Sequence, residues 1–141
     1  MREPPLTRKD FQVLAKLRAK EAGTLSKYGD EQGAYYLAGY AVECALKACI
    51  AKKSKRWEFP PKRKYVDQVY THDLNLLLQA AELDKQLDLD MESNLKLAAN
   101  WTAVTDWNEN SRYVISSLNG KDLYLAITGR NGVLPWIKHH W

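Results

Sequence analysis

The sequence predicts an all-α domain: an antiparallel bundle of four long helices with a short C-terminal helix. Two observations lead there. The first is the run at residues 33–51, GAYYLAGYAVECALKACIA, in which fifteen of nineteen residues are apolar or aromatic. At about 100° per residue, Gln32, Tyr36, Gly39, Tyr40, Glu43 and Lys47 fall in one narrow stripe, and almost everything else round the helix is apolar. Such a helix is buried on most sides, so it is expected to be the central rod of the bundle. Glu43 and Lys47 interrupt it too soon for a membrane span. The second observation is that the flanking segments repeat apolar residues at helical spacing, several of them opened by a capping residue. A chain of 141 residues supports one domain with a real core, so residues 1–141 are read as a single unit.

In chain order, residues 1–6 with Pro4 and Pro5 form a frayed lead-in. Thr7 caps a first helix, with Asp10 in the place of the usual Glu, and Phe11, Leu14, Ala15, Leu17, Ala22 and Leu25 carry its apolar positions to about Ser26. Tyr28-Gly29-Asp30 breaks the helix, and Asp30 caps the rod, expected over 31–53. Residues 54–70 form a basic, aromatic loop in which Pro60-Pro61 excludes a continuous helix. Thr71 is the expected cap of a third helix, with His72, Asp73 and Leu74 in its first turn and Leu74, Leu77, Leu78 and Ala81 inside. Asp73 there suits the helix dipole. Acidic residues 84–92 read as a connection to a fourth helix, whose inner face is Leu95, Ala98, Ala99, Trp101 and Val104, with Trp107 closing it. Residues 108–111 form a turn, with Ser111 as cap. Arg112 and Tyr113 then open the last long helix, 114–128, in which Gly120 is an interruption costing about 1 kcal/mol. Gly129 and Gly132 mark breaks, and Pro135 suits the first turn of a short terminal helix.

The charge of +4 is concentrated in one place. Residues 52–64, KKSKRWEFPPKRK, hold seven Lys/Arg against one Glu, a local +6, and the remainder is −2. Lys55, Arg56, Trp57, Lys62, Arg63 and Lys64 interleave cations with an aromatic ring, the pattern of a stacking surface for single-stranded nucleic acid. The plainer reading is a solvated connection clamped to the bundle by Trp57 and Phe59. The stripe on the rod has two readings as well. Glu43 and Lys47 have the favourable i,i+4 order of a structural ion pair, or Tyr40, Glu43 and Lys47 face a cleft or a partner.

Cys44 and Cys49 lie on different faces of one helix and cannot easily pair, which suggests two reduced core thiols. With no apolar leader at the N-terminus, a cytoplasmic location is expected. Five Trp and eight Tyr are many for a small bundle to bury. Aromatic residues are enriched at interfaces, so a two-fold homodimer is expected.

The segments AYYLAGYAVECALKACI, THDLNLLL and WTAVTDWNENSRY, taken in that order, resemble a HEPN domain (higher eukaryotes and prokaryotes nucleotide-binding). The resemblance runs from about Leu6 to the last helix. It implies an α-helical bundle that dimerises. It also implies a role in RNA cleavage, or in binding a nucleotide, a nucleic acid or a partner nucleotidyltransferase in toxin–antitoxin or defence systems.

RNA-cleaving HEPN domains carry Arg, four to six residues and then His near the start of the last long helix. A metal-free ribonuclease needs such a histidine for proton transfer and an arginine for the phosphorane charge. Arg112 lies in the right element, but residues 114–118 hold no histidine. The expected function is therefore a non-catalytic HEPN-type module. The alternative is a divergent ribonuclease in which His72 approaches Arg112 in space. Three histidines, two of them the terminal His139 and His140, are too few for a metal centre. With no P-loop, no GxGxxG and no nucleophile elbow, neither metal nor cofactor is expected.

Overall fold

The computed structural model describes residues 6–53, 70–115 and 118–141. Among them the chain is all-helical: α1 (Arg8–Lys27), α2 (Glu31–Lys53), α3 (Leu74–Ala80), α4 (Asp84–Ser93), α5 (Leu95–Thr105), a 3-10 turn (Glu109–Tyr113), α6 (Gly120–Thr128) and α7 (Val133–Lys138). The proposed nucleic-acid residues of the basic loop, Lys55, Arg56, Trp57, Lys62, Arg63 and Lys64, lie outside the described residues.

Helix α1 begins as its sequence dictates. The Thr7 hydroxyl accepts from the Asp10 N–H, the Asp10 carboxylate accepts from the Thr7 N–H, and the capping box is complete. A three-residue turn with Gly29 at φ 81 reverses the chain, a conformation that suits glycine. Helix α2 then runs antiparallel along α1. It is the central rod, with Ala34, Ala38, Ala41, Val42, Cys44, Ala45, Leu46, Ala48, Cys49 and Ile50 all buried. Helix α1 supplies Ala15, Ala19 and Ala22 to the same core, α3 supplies Leu74, Leu77 and Leu78, and the C-terminal helices supply Leu123, Ile127, Val133, Leu134 and Ile137. No helix among the described residues is long and apolar enough to cross a membrane.

Three local expectations are corrected. Thr71 is not the cap of α3: Asp73 is, its carboxylate accepting from the Leu76 N–H at 3.1 Å, so His72 and Asp73 stand before the helix. The acidic stretch from Asp84 is not a connection but the helix α4. Leu83, Leu87 and Met91 recur every four residues and pack on the core, and that period outweighs the acidic composition. The last long helix does not run from Val114. Val114 is extended (φ −82, ψ 125), and α6 starts at Gly120, capped by the Asn119 side chain, which accepts from the Asp122 N–H. Gly120 is a starting point, not an interruption. A β-carbon there would lie 2.3 Å from the Glu31 carbonyl oxygen, so only glycine lets α6 approach the first turn of α2 this closely.

Among the described residues, part of the aromatic surplus is absorbed by the fold, while Tyr28, Tyr70 and Tyr113 stay exposed. Trp101 and Trp107 are buried, and Tyr35, Tyr36, Tyr40, Tyr124, Trp136 and Trp141 pack against the core from its edge.

Leu46 is 0% exposed, so Leu46→Asp is expected to abolish soluble expression. An unpaired buried charge costs several kcal/mol against a total stability of roughly 5–15 kcal/mol. Ala38→Asp is expected to do the same. A variant that expressed and melted like the parent would contradict the placement of α2 at the centre.

Candidate functional site

The polar stripe of α2 is where separate parts of the chain meet. Glu43 is 2% exposed yet carries a carboxylate. Its Oε2 accepts from Lys47 Nζ at 3.3 Å, and its Oε1 lies 2.7 Å from Nδ1 of His72. Lys47 comes from one turn further along the same helix. His72 comes from the strap before α3 and is half exposed. The strap is fixed locally, because the Thr71 hydroxyl accepts from the Asp73 N–H at 3.1 Å while Asp73 caps α3. A buried carboxylate is tolerable only when both oxygens are satisfied, and this arrangement satisfies both. With Nδ1–H donating to Glu43, His72 presents Nε2 outward.

One turn before Glu43, Gly39 is covered by the pyrrole ring of Trp107. A β-carbon at position 39 would lie 2.2–2.3 Å from three of its atoms. Tyr36 stacks on Trp107 at 6.2 Å and on Tyr40 at 6.0 Å. Arg112 lies over the Tyr113 ring at 4.8 Å, with Tyr36 as its other aromatic neighbour. Bonding to Tyr36, then to Tyr113, pushes the Arg112 guanidinium further up. The Gln32 amide donates to the Ile115 carbonyl at 3.5 Å. Burial raises the Tyr40 phenol, and the positive charge of Arg18 on α1 reaches it in opposition. Burial, then the Glu43 charge, pushes the Cys44 thiol up to about 12. Burial pushes Cys49 up to about 11. Both thiols are free and buried, and both are poor nucleophiles.

Beside the stripe lies a polar cleft of about 320 Å³. Its walls include His72, Asp73, Asn75, Asp106, Asn108 and Glu109.

Tyr40, Glu43 and Lys47 thus lie on one face with His72. Arg112 and His72 approach α2 at different points. Arg112 is held at Tyr36 and His72 at Glu43, seven residues apart, or about 10 Å along a helix, and Arg112 is not among the cleft walls. Arg112 lies over Tyr113, although Glu109 and Trp107 are nearby in sequence as a possible ion-pair and stacking partner. Two contributors escaped sequence reasoning. Arg18 is a cation on the flank of α1 that also buries Ala15, Ala19 and Ala22, and a charge in that position is a signal. Trp107 covering Gly39 had no signal beyond the presence of a glycine in a buried helix. Among the described residues, no three His, Cys, Asp or Glu side chains gather where they could hold a metal ion.

No family model, no curated protein and no solved structure matches this chain.

Two outcomes test this geometry. His72→Ala and Glu43→Gln are each expected to destabilise the fold. The double variant should lose less than the sum, with a coupling of roughly 0.5–3 kcal/mol in denaturant unfolding. Additive losses would mean that the two side chains do not interact. Gly39→Ala is expected to cost about 1–3 kcal/mol by displacing Trp107, with a change in tryptophan fluorescence. An unchanged melting temperature and spectrum would show that Trp107 does not lie there.

Proposed function

We propose that this chain is a non-catalytic HEPN-type module that binds a nucleotide or single-stranded nucleic acid across the α2 stripe. The all-helical fold supports this reading, with the α1–α2 hairpin packed by the shorter C-terminal helices. The observation that carries the reading is the exposed stack of Arg112 on Tyr113 beside the Tyr36–Tyr40 pair. A cation lying on an aromatic ring next to further rings offers a base a face and a phosphate a charge. Lys47 extends the positive side of the same surface and His72 adds a hydrogen-bonding imidazole, although Glu43 holds one atom of each. The basic residues at 55–64 would prolong the electrostatic footprint. A partner nucleotidyltransferase in a toxin–antitoxin or defence setting is the protein counterpart of this reading, using the same surface.

The non-catalytic part rests on separation. Proton transfer and charge stabilisation must act on one phosphate, and here the arginine and the histidine are held on different turns of α2. A divergent ribonuclease using Arg112 and His72 is the second reading. One observation favours it: His72 has a carboxylate behind Nδ1 and a polar cleft in front, the arrangement of a general acid–base.

The test is binding and cleavage of a labelled single-stranded RNA in metal-free buffer across a range of salt. Binding is expected to weaken steeply with salt, without cleavage. Arg112→Gln should weaken it and reduce the salt slope by about one. Replacing Lys62, Arg63 and Lys64 by alanine should flatten the slope further, since each cation removed takes a phosphate contact with it. Robust cleavage lost in His72→Ala would favour the ribonuclease. Binding indifferent to salt and to all these changes would remove the stripe from the account.

A further inference from the structure

Helix α1 gives one face to the core and leaves another unpartnered. Ala15, Ala19 and Ala22 are buried in the core. The four lysines of the helix, Lys9, Lys16, Lys20 and Lys27, fall on the far side within an arc of about 40° at 100° per residue, and all four are exposed. Among the described residues none of them is in an ion pair. Lys16 instead lies over the Trp141 ring at 5.7 Å. Lys138 of α7 lies over the same ring at 5.8 Å, so a further cation joins that end of the row.

Beside the row runs an apolar line. Val13 is 49% exposed, Leu17 43% and Tyr28 76%. The line borders a groove of about 450 Å³ whose apolar walls are Leu17 and Leu25 of α1 and Leu37 of α2. The acids of α1, Asp10 and Glu21, lie beyond this line and are already engaged. Asp10 closes the capping box with Thr7, and Glu21 holds Arg18 at 3.1 Å. The face is therefore polarised across its width: cationic along one edge, apolar and concave in the middle, with engaged acids at the other edge.

That order of bands discriminates among partners. A phosphate backbone matches the lysine row and has no use for the apolar groove. A helix that lies on an anionic bilayer needs a convex apolar face and attraction to the lipid headgroups, whereas here the groove is concave and acids stand beyond it. An amphipathic helix with carboxylates along one edge of its apolar stripe matches every band.

We propose that the outer face of α1 docks an acidic amphipathic helix of a different protein. Its apolar side chains enter the groove between Leu17, Leu25 and Leu37, and its Asp or Glu side chains lie against the lysine row. Residues 9–27 span about 27 Å, which a docked helix of about eighteen residues would match. No residue of this face belongs to the α2 stripe, so the proposal stands apart from the ligand-binding reading. A contact of this length is at the small end of specific interfaces, and the complex forms in the micromolar range.

The test uses the full chain and two synthetic peptides of that length. Both carry one leucine stripe; one has Glu along the edge of the stripe and the other has Lys at the same positions. Fluorescence anisotropy at low salt is expected to show the acidic peptide binding about tenfold more tightly, a gap that closes at high salt. Leu17→Ala should weaken the acidic peptide severalfold. The double variant Lys20→Glu, Lys27→Glu should reverse the preference, so that the basic peptide binds and the acidic one does not. Such an exchange separates a change of partner from misfolding. Equal binding of the two peptides, or a preference that neither change moves, would overturn the proposal. Tighter binding of phosphatidylserine-containing vesicles or of single-stranded RNA than of the acidic peptide, lost in the double variant, would overturn it by assigning the row to a membrane or a nucleic acid. Self-association of the parent, abolished in the double variant while the acidic peptide is ignored, would overturn it by giving the face to a second copy.

Discussion

A carboxylate sealed in the core constrains more of this molecule than any other group. Glu43 sits in a helix whose neighbouring positions are alanine, cysteine, valine and leucine, where an unpaired charge would cost several kcal/mol. Lys47 answers one oxygen and comes free with the helix. The other oxygen needs a group from elsewhere, and it is His72, twenty-nine residues along the chain. Meeting that need fixes the strap at residues 70–73. The strap places Asp73 as the cap of α3, and the cap sets the phase with which Leu74, Leu77 and Leu78 enter the core. The buried pair is thus less a source of net stability than a register mark, fixing which part of the chain returns to α2 and where.

The other end of the stripe works by absence. Gly39 has no side chain, so Trp107 lies flat on the helix. Trp107 anchors the turn that follows α5, and that turn carries Arg112 to Tyr36. A glycine and a glutamate one turn apart therefore determine what covers α2 and what is left accessible. The same division leaves Arg112 over Tyr113 at one end of the stripe and His72 on Glu43 at the other.

The parts of the fold legible in the sequence were those governed by local rules. The Thr7–Asp10 box, the bounds of α2 at Glu31 and Lys53, and the stripe itself follow from capping and from the 3.6-residue period. What was not legible depended on contacts far apart in sequence. Gly120 reads as a weak point in a helix until Glu31 is seen against it. The acidic composition of α4 masks a stripe of Leu83, Leu87 and Met91 that matters only once there is a core to receive it. Within the candidate site, the pairing of Glu43 with Lys47 was readable from their spacing. Its pairing with His72 was not, since nothing in THDL distinguishes a helix-capping motif from one that also reaches back to the rod. The pairing of Arg112 with Tyr36 was hidden for the same reason.

The central claim is that the α2 stripe is the working surface. It is tested most directly by mapping amide and side-chain NMR shifts of the full chain on adding a short single-stranded RNA. The account predicts changes concentrated at Tyr36, Tyr40, Lys47, His72, Arg112 and Tyr113, saturating together. Changes confined to the opposite corner, where Trp136 donates to Asp90 and packs at a tilt against His140, with the stripe silent, would contradict it.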